Sequence, residues 1–281
     1  MKHVFLLSLF LIALFPAQDT HAQARRVAFF EHFTNASCGP CASQNPVFKA
    51  NIMDKNKGNY IHMAYHTVWP GRDPMNAYNK EEVDARVKVY SISGVPTMVL
   101  QGNSYNGSPV GATQDIMNRV IATSSPIRIN VSESSDGTTR TVSAKISSLG
   151  QVPTAGLRVR AAILESEITY PTPPGSNGEK EFPNVFRNFL NSAVGEEFTP
   201  AAIGESVDLS WTYTLNTTEW DTTRISAVVW VQNDNTDEVI NAGAAYLPMV
   251  ELVMADEQFK KGAAQGSVTF LARVDNLGGE E

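Results

Sequence analysis

Cys38 and Cys41 are the two cysteines of this 281-residue chain, and Gly39 and Pro40 separate them. Two cysteines spaced in this way are typical of a redox dithiol. A mostly apolar run, residues 27–33, precedes the pair and a helical pattern follows it. Cys38 should therefore lie at a helix N-terminus, where backbone N–H groups and the helix dipole stabilise a thiolate. We expect Cys38 to be an acidic, accessible nucleophile and Cys41 to be the thiol that resolves its mixed disulfides.

A structural disulfide is the other interpretation, because a lone cysteine pair in an exported protein usually stabilises the fold. A bond that closes a loop as short as Cys38–Cys41 constrains the unfolded chain very little. Redox chemistry is therefore the better explanation of the pair.

The composition and the N-terminus limit the class of protein. Hydrophobic residues make up 42% of the chain, and the net charge of −7 argues against a nucleic-acid partner. Residues 1–24 have the pattern of a signal peptide: Lys2, an apolar run over residues 4–15, and possible cleavage after Ala22 or Ala24. The run is too short to span a bilayer, which needs about 20 residues. We expect an exported protein of the periplasm, outer membrane or cell surface, with no integral membrane segment.

Residues 25–125 contain a regular alternation of element types. Hydrophobic periodicity predicts strand, helix, strand, helix, strand, strand, helix, with a strand that opens at Pro96. This order predicts an α/β domain of about 100 residues.

Residues 126–249 have a different pattern. Runs at 127–132, 139–146, 157–168, 206–215 and 225–231 alternate or are strongly apolar, which predicts an all-β, immunoglobulin-like sandwich. Five apolar positions within 171–200 recur at helical spacing and predict a helical insertion: Phe182, Val185, Phe186, Phe189 and Leu190. Residues 250–281 form a C-terminal extension with no assigned role.

The cysteine motif and Pro96 together resemble the thioredoxin superfamily. The tetrapeptide from Cys38 to Cys41 is the thioredoxin active-site sequence, and Val95-Pro96 is similar to the cis-proline segment. The resemblance implies a thioredoxin-like fold, a cis Val95–Pro96 bond, and catalytic roles for Cys38, Cys41 and Pro96. It also implies that Val95, Gly39 and Pro40 contact an extended substrate peptide.

Two positions depart from the thioredoxin pattern. Ser37 replaces the tryptophan before the first cysteine, and His32 replaces a buried acid six residues before it. His32 is a candidate proton relay to Cys41, because a histidine pKa lies near neutrality. A core histidine bonded to the backbone is the equal alternative, and Glu31 is a second candidate relay.

Further motifs resemble the 28-kDa-type outer-membrane-protein family of Gram-negative bacteria over most of residues 26–247. They are Glu-His-Phe-Thr-Asn before the cysteines, Ala-Tyr-His-Thr followed by Trp-Pro and Asp-Pro-Met, and Phe-Arg-Asn-Phe-Leu. This resemblance implies a cell-envelope location and thioredoxin plus sandwich domains, but no particular activity.

Three functions fit these observations. The first is a thiol–disulfide oxidoreductase, a reductase or isomerase, which acts on disulfide-containing proteins, uses an unidentified electron donor and needs no cofactor. The second is a non-catalytic binding protein on the same scaffold. The third is a metal carrier that uses both cysteines with His32, His62 or His66, although the cysteine spacing argues against copper delivery. We expect no bound metal.

Overall fold

A computed structural model describes residues 23–246 of the chain. The predicted extension at 250–281 lies outside these residues, as does the predicted signal peptide apart from its last two residues. The described chain is mostly β, with few helices.

The first half of the chain follows the predicted order of elements, with one short helix added. Its elements are β1 (Ala28–Thr34), α1 (Gly39–Phe48), β2 (Tyr60–His66), α2 (Pro74–Tyr78), α3 (Lys80–Val89), β3 (Thr97–Leu100), β4 (Tyr105–Gly107) and α4 (Gln114–Ala122).

The helices begin at residues that can cap them. Side chains of Asp73, Asn79 and Thr113 accept backbone N–H bonds at the starts of α2, α3 and α4. Cys38 occupies the same position for α1. Pro46 lies inside α1 without ending it, and the helix widens into a π-helical turn at Lys49–Met53.

The second half contributes strands only. They are β5 (Ile127–Asp136), β6 (Thr139–Ser148), β7 (Leu157–Thr169), β8 (Glu181–Phe189), β9 (Glu196–Glu197), β10 (Ser206–Thr214), β11 (Ile225–Asn233) and β12 (Val239–Ala244).

Within residues 23–246 the strands form two sheets. One is a mixed nine-stranded sheet in the order β12-β11-β7-β8-β2-β1-β3-β4, with β9 on β7. The other is antiparallel, in the order β10-β6-β5. It packs on β7 and β11 over a core of aliphatic side chains that includes Ile129, Val142, Val159 and Val229. The second half is therefore two-layered, but its larger layer continues into the first half.

The helical insertion predicted within 171–200 is wrong, because residues 181–189 form β8. This strand pairs antiparallel with β7 and meets β2 at Ala64–Val185. The register with β7 shifts near Leu164, and Asn184 has a φ of 53°. These irregularities replace strict alternation with the buried set Phe182, Val185, Phe186 and Phe189, whose spacing imitates a helix face.

Strand β1 separates two cores and thereby orients the candidate site. Phe30 packs toward α1, where its ring centroid lies 5.2 Å from that of Phe48. Phe29 faces the opposite side, where its ring centroid lies 5.1 Å from that of Trp230. Because side chains alternate along a strand, Glu31 shares the Phe29 face and His32 shares the Phe30 face.

Candidate redox site

Cys38 and Cys41 form a disulfide at the start of α1, with their Cα atoms 5.2 Å apart. The N–H of Cys41 donates to Cys38 Sγ over 3.1 Å. This donor would favour a thiolate at Cys38 once the disulfide is reduced. Pro40 fits the first turn of the helix because its missing N–H is not needed there.

The expectation that Cys38 is accessible is wrong for this conformation. Cys38 is 1% exposed and Cys41 is fully buried. Gly39 and Pro40 between them are exposed.

The structure brings the predicted proline segment to the cysteines. Val95–Pro96 is a cis peptide, as predicted, and the carbonyl oxygen of Val95 lies 3.5 Å from Cys38 Sγ. Both residues are half-buried, so a peptide that reaches Cys38 would pass along them.

His32 lies on the α1 side of β1 and pairs with a second histidine. Its Nδ1 lies 3.2 Å from Nε2 of His62, and His62 Nδ1 lies 3.2 Å from the amide nitrogen of Asn184. If that amide donates, His62 donates its Nε2 proton to His32, and the proton of neutral His32 must then be on Nε2. His32 Nε2 is buried without a hydrogen-bond partner, so it bonds to neither cysteine in the disulfide form.

Both imidazoles are held neutral. Burial, followed by the nearby histidines His62 and His66, lowers the pKa of His32 well below its ordinary value. Burial and His66 lower the pKa of His62 to about 3. A neutral His32 can therefore exchange a proton with a buried thiol without placing a resting charge in the core.

Glu31 does not serve as a relay. Its carboxylate is fully buried on the opposite face of β1, and Arg86 donates to both of its oxygens over 2.5 and 2.7 Å. Tyr90 also donates to it. The carboxylate of Glu31 is thus hydrogen-bonded to Arg86 and Tyr90, away from the cysteines, which argues against Glu31 as the proton relay.

Asp73 and His66 form a buried pair that the sequence did not reveal. Asp73 Oδ2 lies 2.7 Å from His66 Nδ1 and accepts the N–H of Ala36 over 2.7 Å. Burial raises the pKa of Asp73, but His66 and backbone donors outweigh it and lower the pKa below its ordinary value. Asp73 also begins α2, because Asp73-Pro74 is a typical helix start, a helix that the predicted order of elements lacks.

A cavity of about 590 Å³ lies between α1, the β1–β2 face and residues 178–183. Its walls include His32, His62 and His66, which strand alternation places on one face. No group of three or more histidine, cysteine, aspartate or glutamate side chains within residues 23–246 has an arrangement suited to a metal ion. The metal-carrier hypothesis therefore gains no support there.

A loop from the second half of the chain covers the cysteine segment. This cover loop, residues 171–180, joins β7 to β8 and hydrogen-bonds to residues 35–38. Sequence reasoning missed it because its prolines and glycines predict a turn but not what the turn contacts.

No helix in the described part of the chain is apolar and long enough to cross a membrane.

Comparison with known proteins shows a shared fold. No model of a known protein family matches the chain, and no curated protein matches it. The solved structure of HBP35 of Porphyromonas gingivalis is similar, with a TM-score of 0.65 at 17% identity, over 88% of this chain and 81% of that one. A domain of the outer membrane lipoprotein Omp28 from Porphyromonas gingivalis aligns with a TM-score of 0.32 at 22% identity, over 43% of this chain and 86% of that one.

Proposed function

We propose that the chain is a cell-envelope thiol–disulfide oxidoreductase, a reductase or isomerase of protein disulfides. The observation that carries the proposal is the geometry around Cys38. Its sulfur lies at the N-terminus of α1, accepts the N–H of Cys41, and lies 3.5 Å from the carbonyl of Val95. This geometry combines stabilisation of a thiolate with backbone groups beside it that an extended peptide can pair with.

In the proposed reaction the reduced protein attacks a substrate disulfide. Cys38 thiolate displaces one substrate sulfur as a thiolate and forms a mixed disulfide. Cys41 then loses its proton and attacks Cys38, which releases the second substrate thiolate and forms the Cys38–Cys41 disulfide. The substrate gains two electrons and two protons, and a dithiol donor must return the protein to the reduced form.

His32 is the proposed positioning group for the second step. Its orphaned Nε2 lies on the α1 side of β1 and its imidazole is neutral, so it suits proton exchange with Cys41 better than the carboxylate of Glu31 does. Cys41 must lose a proton and the leaving thiolate must gain one. His32 can take the Cys41 proton only in the tautomer whose Nε2 is free, in which His32 Nδ1–H donates to His62 Nε2 and the Asn184 amide turns its oxygen to His62.

The finer architecture belongs to the same proposal. We assign residues 25–125 to a thioredoxin-like domain and residues 126–249 to an immunoglobulin-like sandwich, supported by β1–β4 with α1–α4 and by the two β layers. The predicted export signal supports a location in the periplasm or at the outer membrane and cell surface.

Turnover of insulin disulfides with dithiothreitol as the electron donor tests the activity. The wild-type protein should reduce insulin, and Cys38→Ser should abolish the activity. The Cys38–Cys41 couple should have a potential near roughly −270 mV, as in reducing thioredoxins. A folded wild-type protein that accelerates neither insulin reduction nor glutathione exchange would rule out the oxidoreductase.

One observation favours the second candidate, a non-catalytic binding protein. Cys38 is only 1% exposed, and a sulfur this buried cannot meet a substrate disulfide without movement of its surroundings. The two candidates differ in whether such movement occurs.

A further inference from the structure

We propose that the cover loop occupies the docking site of the substrate peptide, so that Cys38 becomes reactive only when a partner peptide displaces residues 175–177. The proposal rests on the proposed oxidoreductase function and identifies the surface that the partner would use. It also identifies the partner as an extended peptide of small and amide-bearing residues beside a disulfide.

Hydrogen bonds hold the cover loop to the backbone that precedes the disulfide. Asn177 donates its backbone N–H to Ala36 O over 3.2 Å, and its amide donates to the carbonyls of Asn35 and Cys38, each over 3.2 Å. Ser176 donates its N–H to Ser37 Oγ over 3.1 Å. Three of the four acceptors, the carbonyls of Asn35, Ala36 and Cys38, are backbone groups that the N–H groups of an extended peptide could satisfy instead.

Close packing at Gly175 shows how tightly the loop is seated. A Cβ atom placed on Gly175 would lie 2.2 Å from Ala36 O and 2.7 Å from Ser37 Oγ, well inside contact distance. A small residue is therefore required in the loop, and a small residue at Ser37 provides the matching space. A partner peptide on the same backbone would meet the same restriction.

The contacts of the cover loop allow it to be displaced as a unit. Its base is closed by Tyr170 N–H donating to Lys180 O over 2.9 Å and by Lys180 Nζ donating to Pro171 O over 3.0 Å. Its other contacts are polar, including Glu179 Oε1, which accepts from the Asn45 amide over 3.0 Å. None of its side chains belongs to the buried apolar core, so displacement exchanges polar contacts for contacts with water or a partner.

The test measures access to Cys38 in the full chain, with Cys41→Ser added so that Cys38 is the single thiol. Iodoacetamide alkylation is followed by mass spectrometry at pH 8. Asn177→Ala and Gly175→Ala should each raise the alkylation rate by about tenfold, because each weakens the seated loop. Thr172→Ala, which changes an exposed residue of the same loop, is the matched control and should leave the rate unchanged.

Docking is tested by exchange with two short peptide disulfides of thionitrobenzoate. A Gly-Ser-Asn-Cys peptide should react several-fold faster than a Leu-Leu-Leu-Cys peptide, and the difference should persist in Asn177→Ala. Equal rates would overturn the docking assignment.

Folding is checked by circular dichroism, and two variants are used so that the test does not depend on the folding of Gly175→Ala. Wild-type alkylation rates in both folded loop variants would overturn the cover. Insulin turnover separates the two proposals. Faster alkylation of Cys38 in the loop variants without insulin turnover would support shielding by the loop and contradict the oxidoreductase. Insulin turnover with unchanged alkylation would support the oxidoreductase and contradict the shielding.

Discussion

His32 Nδ1 lies 3.2 Å from His62 Nε2, so two buried imidazoles share one hydrogen bond beneath α1. The bond requires one nitrogen to keep its proton and the other to remain free. Adding a proton to the pair would bury a charge, and a proton on the accepting nitrogen would also break the bond. Neutrality of the pair is therefore a structural requirement as well as the proposed basis of proton transfer.

Acid should destabilise the protein through this pair. The pKa of His62 falls to about 3 on folding, so between pH 6.5 and 3 the unfolded chain binds a proton that the folded chain does not. Stability is thus retained above pH 6.5 and lost as the pH falls. Between pH 7 and pH 5 the free energy of unfolding, measured in urea, should fall more in the wild type than in His62→Gln. The difference between the two falls should be at most about 2 kcal/mol. Parallel pH profiles would contradict the neutral pair.

The Glu31–Arg86 pair should contribute stability rather than catalysis. Both side chains are fully buried, and Glu31→Gln would leave the Arg86 charge without its counter-ion. We expect a loss of about 3–5 kcal/mol in the free energy of unfolding. The control is Asp84→Asn, which breaks the exposed pair with Lys80 and should cost less than about 1 kcal/mol. A cost for Glu31→Gln as small as that of the control would refute the assignment.

Asp73 should hold the segment before the cysteines in place. It accepts from Ala36 N–H and from His66 while it caps α2 through the N–H of Met75. Asp73→Ala should therefore cost about 2–4 kcal/mol in urea unfolding, since it removes a helix cap and leaves the buried Ala36 N–H and the His66 ring without their hydrogen-bond partner. Asp54→Ala, which removes an exposed partner of Lys49, is the control. Similar losses in the two variants would show that Asp73 does not support this segment.

The two cysteines should differ in function. In the proposed mechanism Cys38 forms the mixed disulfide and Cys41 resolves it. With a substrate whose disulfides are intact, such as native insulin, Cys41→Ser should accumulate a covalent complex that is visible on non-reducing gels. Cys38→Ser should not. Accumulation with Cys38→Ser instead would reverse the assigned order of attack.

Much of the first half could be predicted because each element carries its own local signal. The strand before Cys38, the helix after it and the cis Val95–Pro96 bond are marked by apolar runs, a proline in the first helical turn and a resemblance in sequence. Asp73-Pro74 carries an equally local signal, a helix cap, and marks the short helix α2 that the predicted order of elements omits.

The remaining features depend on contacts between distant residues. The strand β8 imitates a helix because its register shift and the positive φ of Asn184 interrupt alternation, and neither is visible in the sequence. The Cys38 carbonyl accepts a hydrogen bond from the side chain of Asn177, which is 139 positions away in the chain. The partner of Glu31 is Arg86 of α3, 55 positions away. The sequence could therefore single out Glu31 as a candidate but could not show that its carboxylate binds an arginine.

The pairing of β8 with β2 at Ala64–Val185 joins strands from both halves of the chain into one sheet. A truncation after residue 125 would remove β8 from the edge of β2 and uncover the ring of Tyr65, which packs against Phe186 of β8. Such a fragment would expose an unpaired strand to other copies of itself and tend to aggregate. The cysteine-bearing half should thus fold only together with its neighbour, because the two halves share one sheet.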